Sequence, residues 1–117
     1  MMLTVYGLTT CSTVKKALAA LAAGKVPHRF HDVRAETPTR AQLEGWARQL
    51  GGWEKLLNRG SFTWRGLPEA ERQGLTEAKA IALALKHPAL IRRPLIERED
   101  GTVTTGFARK VQEELLK

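Results

Sequence analysis

The chain has 117 residues, of which 43% are hydrophobic and 26% are charged. This length fits a single domain whose core is large enough to fold without metal or disulfide staples. The single cysteine, Cys11, excludes an intrachain disulfide, and the three scattered histidines form no zinc-ligand pattern. We therefore expect one domain over residues 1–117, with no bound metal and no resident cofactor.

The net charge of the chain is +7, but its basic residues are spread along the sequence without a long block of like charge. Chains that bind nucleic acid through a basic tail concentrate that charge. We interpret the excess as a general basic surface with a local anion site. Nucleic acid is an alternative supported by charge alone, and it is not the expected partner.

The N-terminal residues lack the basic and apolar regions of a secretory signal peptide. No apolar run approaches the roughly 18 residues that a membrane-spanning helix needs. A free thiol such as that of Cys11 persists in the reducing cytoplasm. We therefore expect a cytoplasmic protein that makes no membrane contact.

The N-terminal part of the sequence predicts a strand–helix–strand unit. Residues 3–6 are β-prone, and a helix over 14–23 has apolar residues at helical spacing and ends at Gly24 as the C′ residue. Residues 26–33 alternate well enough for a second strand. Two strands that flank a helix predict a parallel pair with a right-handed crossover.

The middle of the sequence predicts short helices separated by glycine and proline. These predicted elements are a helix over 41–49 capped by Thr37 or Thr39, a helical turn at 53–57, a loop at 58–61, a short helix with Pro68 in its first turn, and a helix over 76–86.

The C-terminal part predicts a strand at 90–98, a type I′ turn at 99–102, a strand at 103–105 and a closing helix from residue 107 to 116. The order is therefore βαβ, a helical insert over about residues 38–88, and ββα. This order is typical of a thioredoxin-like (glutaredoxin-like) α/β fold with a mixed four-stranded sheet.

The chemistry of the sequence centres on Cys11. A cysteine is a nucleophile only as its thiolate, which the free N–H groups and dipole of a helix N terminus stabilise. Cys11 stands where the first strand's loop becomes the first helix, and Lys15 follows one turn later. The hydroxyl groups of Thr10 and Ser12 can donate hydrogen bonds to sulfur or substrate. Position alone leaves a buried structural cysteine as an equal alternative; the polar neighbours favour the nucleophile.

Residues 6–17 read YGLTTCSTVKKA, which resembles the Tyr-Gly-x-x-x-Cys-x-Thr-x-Lys-Lys-Ala opening of the arsenate reductase (ArsC)/Spx family. Later segments resemble the YffB-like branch of that family: FHDVR at 30–34, WEKLLN at 53–58, TWR at 63–65, HPALIRRPL at 87–95 and GF at 106–107. The resemblance covers nearly the whole chain in order. It implies a thioredoxin-like fold and a thiol chemistry that uses glutathione.

In the arsenate reductases the cysteine attacks an oxyanion bound by arginines, and glutathione or glutaredoxin resolves the intermediate. The resemblance maps one such arginine onto Arg93, followed by Pro94 as the conformation-fixing proline. A second arginine maps onto Arg59, with Asn58 as the alternative register. The resemblance further implies a cis Arg93–Pro94 peptide bond and the convergence of Arg93 and Arg59 near Cys11.

A third arginine of the family's oxyanion set is missing, because Gly106 occupies its place. The loss of one charge-assisted contact to an oxyanion costs roughly 1.5–3 kcal/mol. The sequence therefore does not predict arsenate itself as the substrate. The candidate catalytic residue is Cys11, and the candidate substrate- or anion-binding residues are Arg93, Arg59, Thr10, Ser12 and Lys15.

The resemblance implies an enzyme: a glutathione-linked thiol reductase that acts on a small oxyanion or thiol substrate, with glutathione or glutaredoxin as the resolving thiol. The alternative is an Spx-like regulator that contacts RNA polymerase. The redox-sensing form of Spx depends on a Cys-x-x-Cys switch. Here the second cysteine position is Val14, so an intramolecular switch cannot form.

Overall fold

A computed structural model describes residues 2–116 of the chain. These residues form two units: unit 1 contains residues 2–36 and 93–116, and unit 2 contains residues 37–92. The regular elements in chain order are β1 (Leu3–Gly7), α1 (Ser12–Ala23), β2 (His28–Asp32), α2 (Arg40–Leu50), a 3₁₀ turn (Trp53–Lys55), α3 (Phe62–Arg65), α4 (Glu69–Arg72), α5 (Glu77–Lys86), a second 3₁₀ turn (Pro88–Leu90), β3 (Leu95–Glu97), β4 (Val103–Thr105) and α6 (Arg109–Leu115).

Unit 1 is built on a four-stranded mixed sheet with the strand order β2-β1-β3-β4. β1 pairs in parallel with β2 and antiparallel with β3, and β3 pairs antiparallel with β4. Two parallel neighbours need a crossover connection, which α1 supplies. The predicted strand–helix–strand unit and C-terminal hairpin are confirmed.

One face of this sheet carries the core of unit 1. Leu3 and Val5, which are two residues apart and therefore share a face, are buried with Leu21 of α1, Ile96 of β3 and Leu115 of α6. The closing helix thus buries its apolar stripe, as the spacing predicts, although it begins at Arg109 rather than at residue 107.

The end of α1 differs from the prediction by one residue. Gly24 is the C-cap with φ −81°, and Lys25 takes the left-handed conformation with φ 54°. The Lys25 N–H donates to Ala22 O, and the Val26 N–H donates to Leu21 O. These two bonds make a Schellman motif whose C′ residue is Lys25 rather than Gly24. The expectation of a C′ glycine was wrong because the Gly24 N–H still donates to Ala20 O, which makes Gly24 the C-cap and Lys25 the C′ residue.

Unit 2 begins with a capping box on α2. The Thr39 side chain accepts a hydrogen bond from Gln42 N, and the Gln42 side chain accepts one from Thr39 N. This reciprocal pair selects Thr39 rather than Thr37 as the cap. α5 is likewise capped by Thr76, which accepts from Lys79 N, and ends at Lys86 as predicted.

Two predicted boundaries near prolines were wrong. The strand predicted at 90–98 is confined to Leu95–Glu97, because residues 88–90 form a 3₁₀ turn and residues 91–92 bond to the 56–57 segment of unit 2. Pro68 precedes α4 as its N-cap with an extended ψ of 143°, so it does not lie in the first helical turn.

The hairpin turn between β3 and β4 is a three-residue loop rather than a type I′ turn. Gly101 N donates to Arg98 O, and Arg98 N donates to Thr102 O. Gly101 has a positive φ of 88°, whereas Asp100 does not. A type I′ turn requires a positive φ at both central residues, so the Asp-Gly pair here ends a loop with glycine at the left-handed position.

The Arg93–Pro94 peptide bond is cis, as expected. Among residues 2–116, no helix has both the length and the apolar character needed to cross a membrane.

Candidate active site

Gly7 marks the point where β1 passes close to α1. A Cβ atom on Gly7 would lie 2.6 Å from Cγ2 of Val14, a distance that real Cβ atoms do not tolerate. Glycine therefore lets the end of the strand and the start of the helix approach each other. The loop between them, residues 8–11, is closed by a 3.1 Å hydrogen bond from Cys11 N to Leu8 O.

Cys11 is the N-cap residue of α1, with extended backbone angles of φ −80° and ψ 121°. Its free thiol belongs to a half-buried residue. No side chain caps the first turn of α1, and no acidic residue lies in that turn. The first N–H groups of this 12-residue helix are thus left for an anion, and the positive end of the helix dipole lies next to the sulfur-bearing residue.

The other polar residues predicted on this loop surround Cys11 in the chain and face solvent. Thr10, Ser12 and Lys15 are all exposed. The Lys15 backbone N–H donates to Cys11 O at 3.0 Å, which fixes Lys15 one turn into the helix. The exposed side chains next to Cys11 in the sequence therefore carry two hydroxyl groups and one ammonium group.

The register of the sheet brings Pro94 to the same edge as the Cys11 loop. Tyr6 pairs with Leu95 as the final pair of the antiparallel β1–β3 ladder. Arg93 and Pro94 precede Leu95, and residues 8–11 follow β1, so both segments leave the sheet at one edge. Pro94 is buried and its carbonyl accepts a hydrogen bond from Gly106 N at 2.9 Å.

Arg93 is half-buried, and within residues 2–116 no carboxylate pairs with its guanidinium group. Its five N–H donors are therefore not consumed by a structural ion pair. This is the state expected of an arginine that binds an external anion.

Gly106 ends β4 at the same edge with a φ of +77°. A side chain other than glycine in this left-handed region costs about 1–2 kcal/mol. The backbone at this place therefore suits glycine.

Arg59 lies in unit 2, in the loop 58–61 that the sequence predicted. The Asn58 side chain accepts a hydrogen bond from Gly60 N at 3.1 Å, so it is engaged in shaping the loop. The Arg59 guanidinium lies 5.5 Å from the centroid of the Trp53 ring, and Arg59 is exposed. Of the two registers, Arg59 is the one that offers a cationic group, and this group contacts the Trp53 ring. Its convergence with Arg93 near Cys11 stays a prediction.

A pair of stacked rings lies at this edge, and the sequence alone does not predict it. Tyr6 and His31 are register partners on β1 and β2, and their ring centroids lie 5.3 Å apart in a stacked arrangement. The Nδ1 atom of His31 lies 3.7 Å from a carboxylate oxygen of Glu36. Only the parallel register reveals this pair, because the two residues are far apart in the sequence.

Comparison with known proteins identifies the family of the chain. The family model of the ArsC family matches residues 6–115 of the chain. A protein of Haemophilus influenzae described as uncharacterized is 39% identical over 109 residues, which cover 93% of this chain and 94% of that one.

Solved structures show the same likeness. A YffB protein superimposes with a TM-score of 0.91 at 38% identity, covering 98% of this chain and 99% of that one. An arsenate reductase (ArsC) related protein from Brucella melitensis has a TM-score of 0.78 at 35% identity, covering 100% and 96% of the two chains.

The fold is therefore a thioredoxin-like α/β fold with a mixed four-stranded sheet. The chain belongs to the ArsC family, and its relatives include proteins described as related to arsenate reductase.

Proposed function

We propose that this protein is a glutathione-linked thiol reductase in which Cys11 is the nucleophile. The observation that carries the proposal is the place of the chain's single cysteine at the uncapped N terminus of α1. A thiolate there is stabilised by unpaired N–H groups, and its half-buried position leaves a path for a small substrate. Membership of the ArsC family supports a thiol-dependent reductase.

The first step is attack by the Cys11 thiolate on an electrophilic atom of the substrate. With glutathione disulfide, the Cys11 sulfur forms a bond to one glutathione sulfur, and the other glutathione leaves as its thiolate. With an oxyanion such as arsenate, the sulfur bonds to the central atom and an oxygen leaves as water after it has taken up protons. Arg93 and Lys15 supply positive charge for the anionic substrate, and Thr10 and Ser12 supply hydrogen-bond donors.

The second step needs a thiol from outside the chain, because Cys11 is the only cysteine. In the oxyanion reaction, glutathione attacks the Cys11 sulfur, the bond between that sulfur and the substrate's central atom breaks, and that atom leaves with two more electrons. The mixed disulfide of Cys11 and glutathione is then cleaved by a second glutathione or by glutaredoxin, which releases the Cys11 thiolate. The two thiols that end as a disulfide supply the two electrons.

The proposed substrate is a small oxyanion or a glutathione mixed disulfide. The proposed co-substrate is glutathione. The glycine at position 106 makes arsenate the weaker member of that set, since one cationic contact is absent. We place the reaction in the cytoplasm, where glutathione keeps a lone cysteine reduced.

The proposal is tested by turnover coupled to glutathione reductase, with arsenate and a small glutathione mixed disulfide as alternative substrates. We expect glutathione-dependent oxidation of NADPH with at least one of them, and none with Cys11→Ser. Cys11→Ser changes one atom at a position that makes no capping hydrogen bond, so circular dichroism should show an intact fold. Retention of RNA polymerase by a protein without turnover would instead favour the regulatory alternative.

A further inference from the structure

A cavity of about 460 Å³ lies in unit 1 at the sheet edge opposite to the Cys11 loop. Leu3 begins β1, Pro27 precedes β2 and Arg98 follows β3, and all three line this cavity. Cys11, in contrast, follows the far end of β1. Small-molecule sites in proteins have volumes of roughly 300–1,000 Å³, so this cavity has the size of a binding site for a small molecule.

The lining of the cavity is partly aliphatic and partly charged. Leu3 and Leu115 are nearly fully buried, and Val26 is half-buried. The charged residues of the lining are Lys25, Arg98 and Glu114, so two positive groups accompany one negative group. A mixed lining with a small excess of positive charge suits a ligand that has an apolar part and one anionic group.

The three charged residues of the lining differ in whether they form an ion pair. Arg98 donates to Glu114 at 3.0 Å and to Thr102 Oγ1 at 3.4 Å, which leaves three of its five N–H donors. The Glu114 carboxylate is therefore balanced by Arg98. Lys25 has no carboxylate within ion-pair distance in the part of the chain that the structure describes. The ammonium group of Lys25 is the cation left for a ligand.

The backbone of Lys25 is fixed where the residue lines the cavity. Lys25 has a φ of 54° and is the single non-glycine residue with positive φ among residues 2–116. This conformation follows from the Schellman motif at the end of α1, in which Lys25 takes the C′ position where glycine is favoured.

We propose that this cavity binds a small organic anion, with its aliphatic body on Leu3, Val26 and Leu115 and its anionic group on Lys25 and the free donors of Arg98. The site is separate from the Cys11 chemistry, and its occupancy does not depend on the reductase proposal.

The test is an NMR titration of the ¹⁵N-labelled full chain with three probes of equal chain length: octanoate, octylammonium and octanol. We expect saturable shifts of the amides of Lys25, Val26 and Arg98 with octanoate, weaker ones with octanol and none with octylammonium. Lys25→Glu should weaken octanoate binding by about tenfold or more, because an attractive charge becomes repulsive. Lys110→Glu, an equal change of charge on an exposed residue of α6 outside the lining, should leave it unchanged.

Lys25→Gly removes the positive charge but keeps the left-handed backbone conformation. Glycine accepts the left-handed conformation, so this variant should melt at the same temperature or higher while binding octanoate more weakly. Octylammonium bound as well as octanoate, an octanoate affinity unchanged in both Lys25 variants, or shifts that do not saturate and are scattered over the surface would each overturn the proposal.

Discussion

Gly7 determines how closely the end of β1 approaches the start of α1. Gly7→Ala places a methyl group 2.6 Å from Cγ2 of Val14, so one of the two elements has to move. Overpacking of this kind costs about 1–3 kcal/mol. We expect urea unfolding to show that loss, together with altered alkylation of Cys11, because residues 8–11 connect the two elements.

Gly45 provides the matched control within α2. A Cβ atom at Gly45 meets nothing within 4 Å, and its φ is not positive. Gly45→Ala should therefore stabilise the protein by about 0.5–1 kcal/mol, because alanine loses less backbone entropy in a helix. Equal effects of the two substitutions would contradict the close approach at Gly7.

Arg93 is the residue that we expect to bind the substrate's negative charge. Arg93→Ala should raise KM for an anionic substrate by roughly 10- to 150-fold, which corresponds to the 1.5–3 kcal/mol of a hydrogen bond to a charged group. The melting temperature should change little, since no ion pair within residues 2–116 involves Arg93.

Arg109→Ala is the comparison for Arg93→Ala, because Arg109 is exposed and its one ion pair within residues 2–116 is with Glu113 on its own helix. The two variants carry the same change of net charge. An equal rise of KM in both would show that the general basic surface, and not Arg93, attracts the substrate.

At the scale of an element, the β3–β4 hairpin has a titratable turn. The Thr102 hydroxyl donates to Asp100 Oδ1 at 2.7 Å and the Thr102 N–H donates to the same oxygen at 3.0 Å. These two bonds, with a smaller contribution from Arg98, lower the pKa of Asp100 below its ordinary value of 3.8. Because the pKa of Asp100 is lower in the folded state, the ionised carboxylate stabilises the turn at pH values above the ordinary pKa. This stabilisation is lost as the pH falls through the folded-state pKa.

NMR titration of the Asp100 carboxyl group checks this turn. In Thr102→Val the hydroxyl bond is lost, so the pKa of Asp100 should rise towards 3.8. Thr105→Val changes the same chemical group two residues beyond Val103 and should leave the titration of Asp100 as it is. The same midpoint in wild type and Thr102→Val would show that the hydroxyl group has no part in the shift.

Helices and strands were predictable where spacing and capping agree. The capping threonines at 39 and 76 and the apolar stripe of the closing helix determine α2, α5 and α6 locally. The strand predicted at 90–98 failed because residues 91–92 bond to residues 56–57, and that pairing is not encoded in the segment itself. Similarly, Lys25 takes the left-handed conformation because the helical hydrogen bonds of α1 continue to Gly24 N, which donates to Ala20 O.

At the scale of the whole molecule, Cys11 is predictable from the sequence as a candidate nucleophile, whereas the residues that share its edge of the sheet are not all predictable. Cys11 was identifiable from its junction between strand and helix and from the family motif. The position of Pro94 at the same edge of the sheet as the Cys11 loop depends on the antiparallel β1–β3 pairing, which joins residues about 90 positions apart. The Tyr6–His31 stack depends in the same way on the parallel register of β1 and β2.

The measurement that tests the central claim most directly is the intact mass of the native protein after incubation with glutathione disulfide. We expect one glutathionyl group on the wild type, none on Cys11→Ser, and removal of the group by reduced glutathione or glutaredoxin. A native protein that forms no adduct, while the same chain does so once unfolded in urea, would contradict the assignment of Cys11 as the nucleophile.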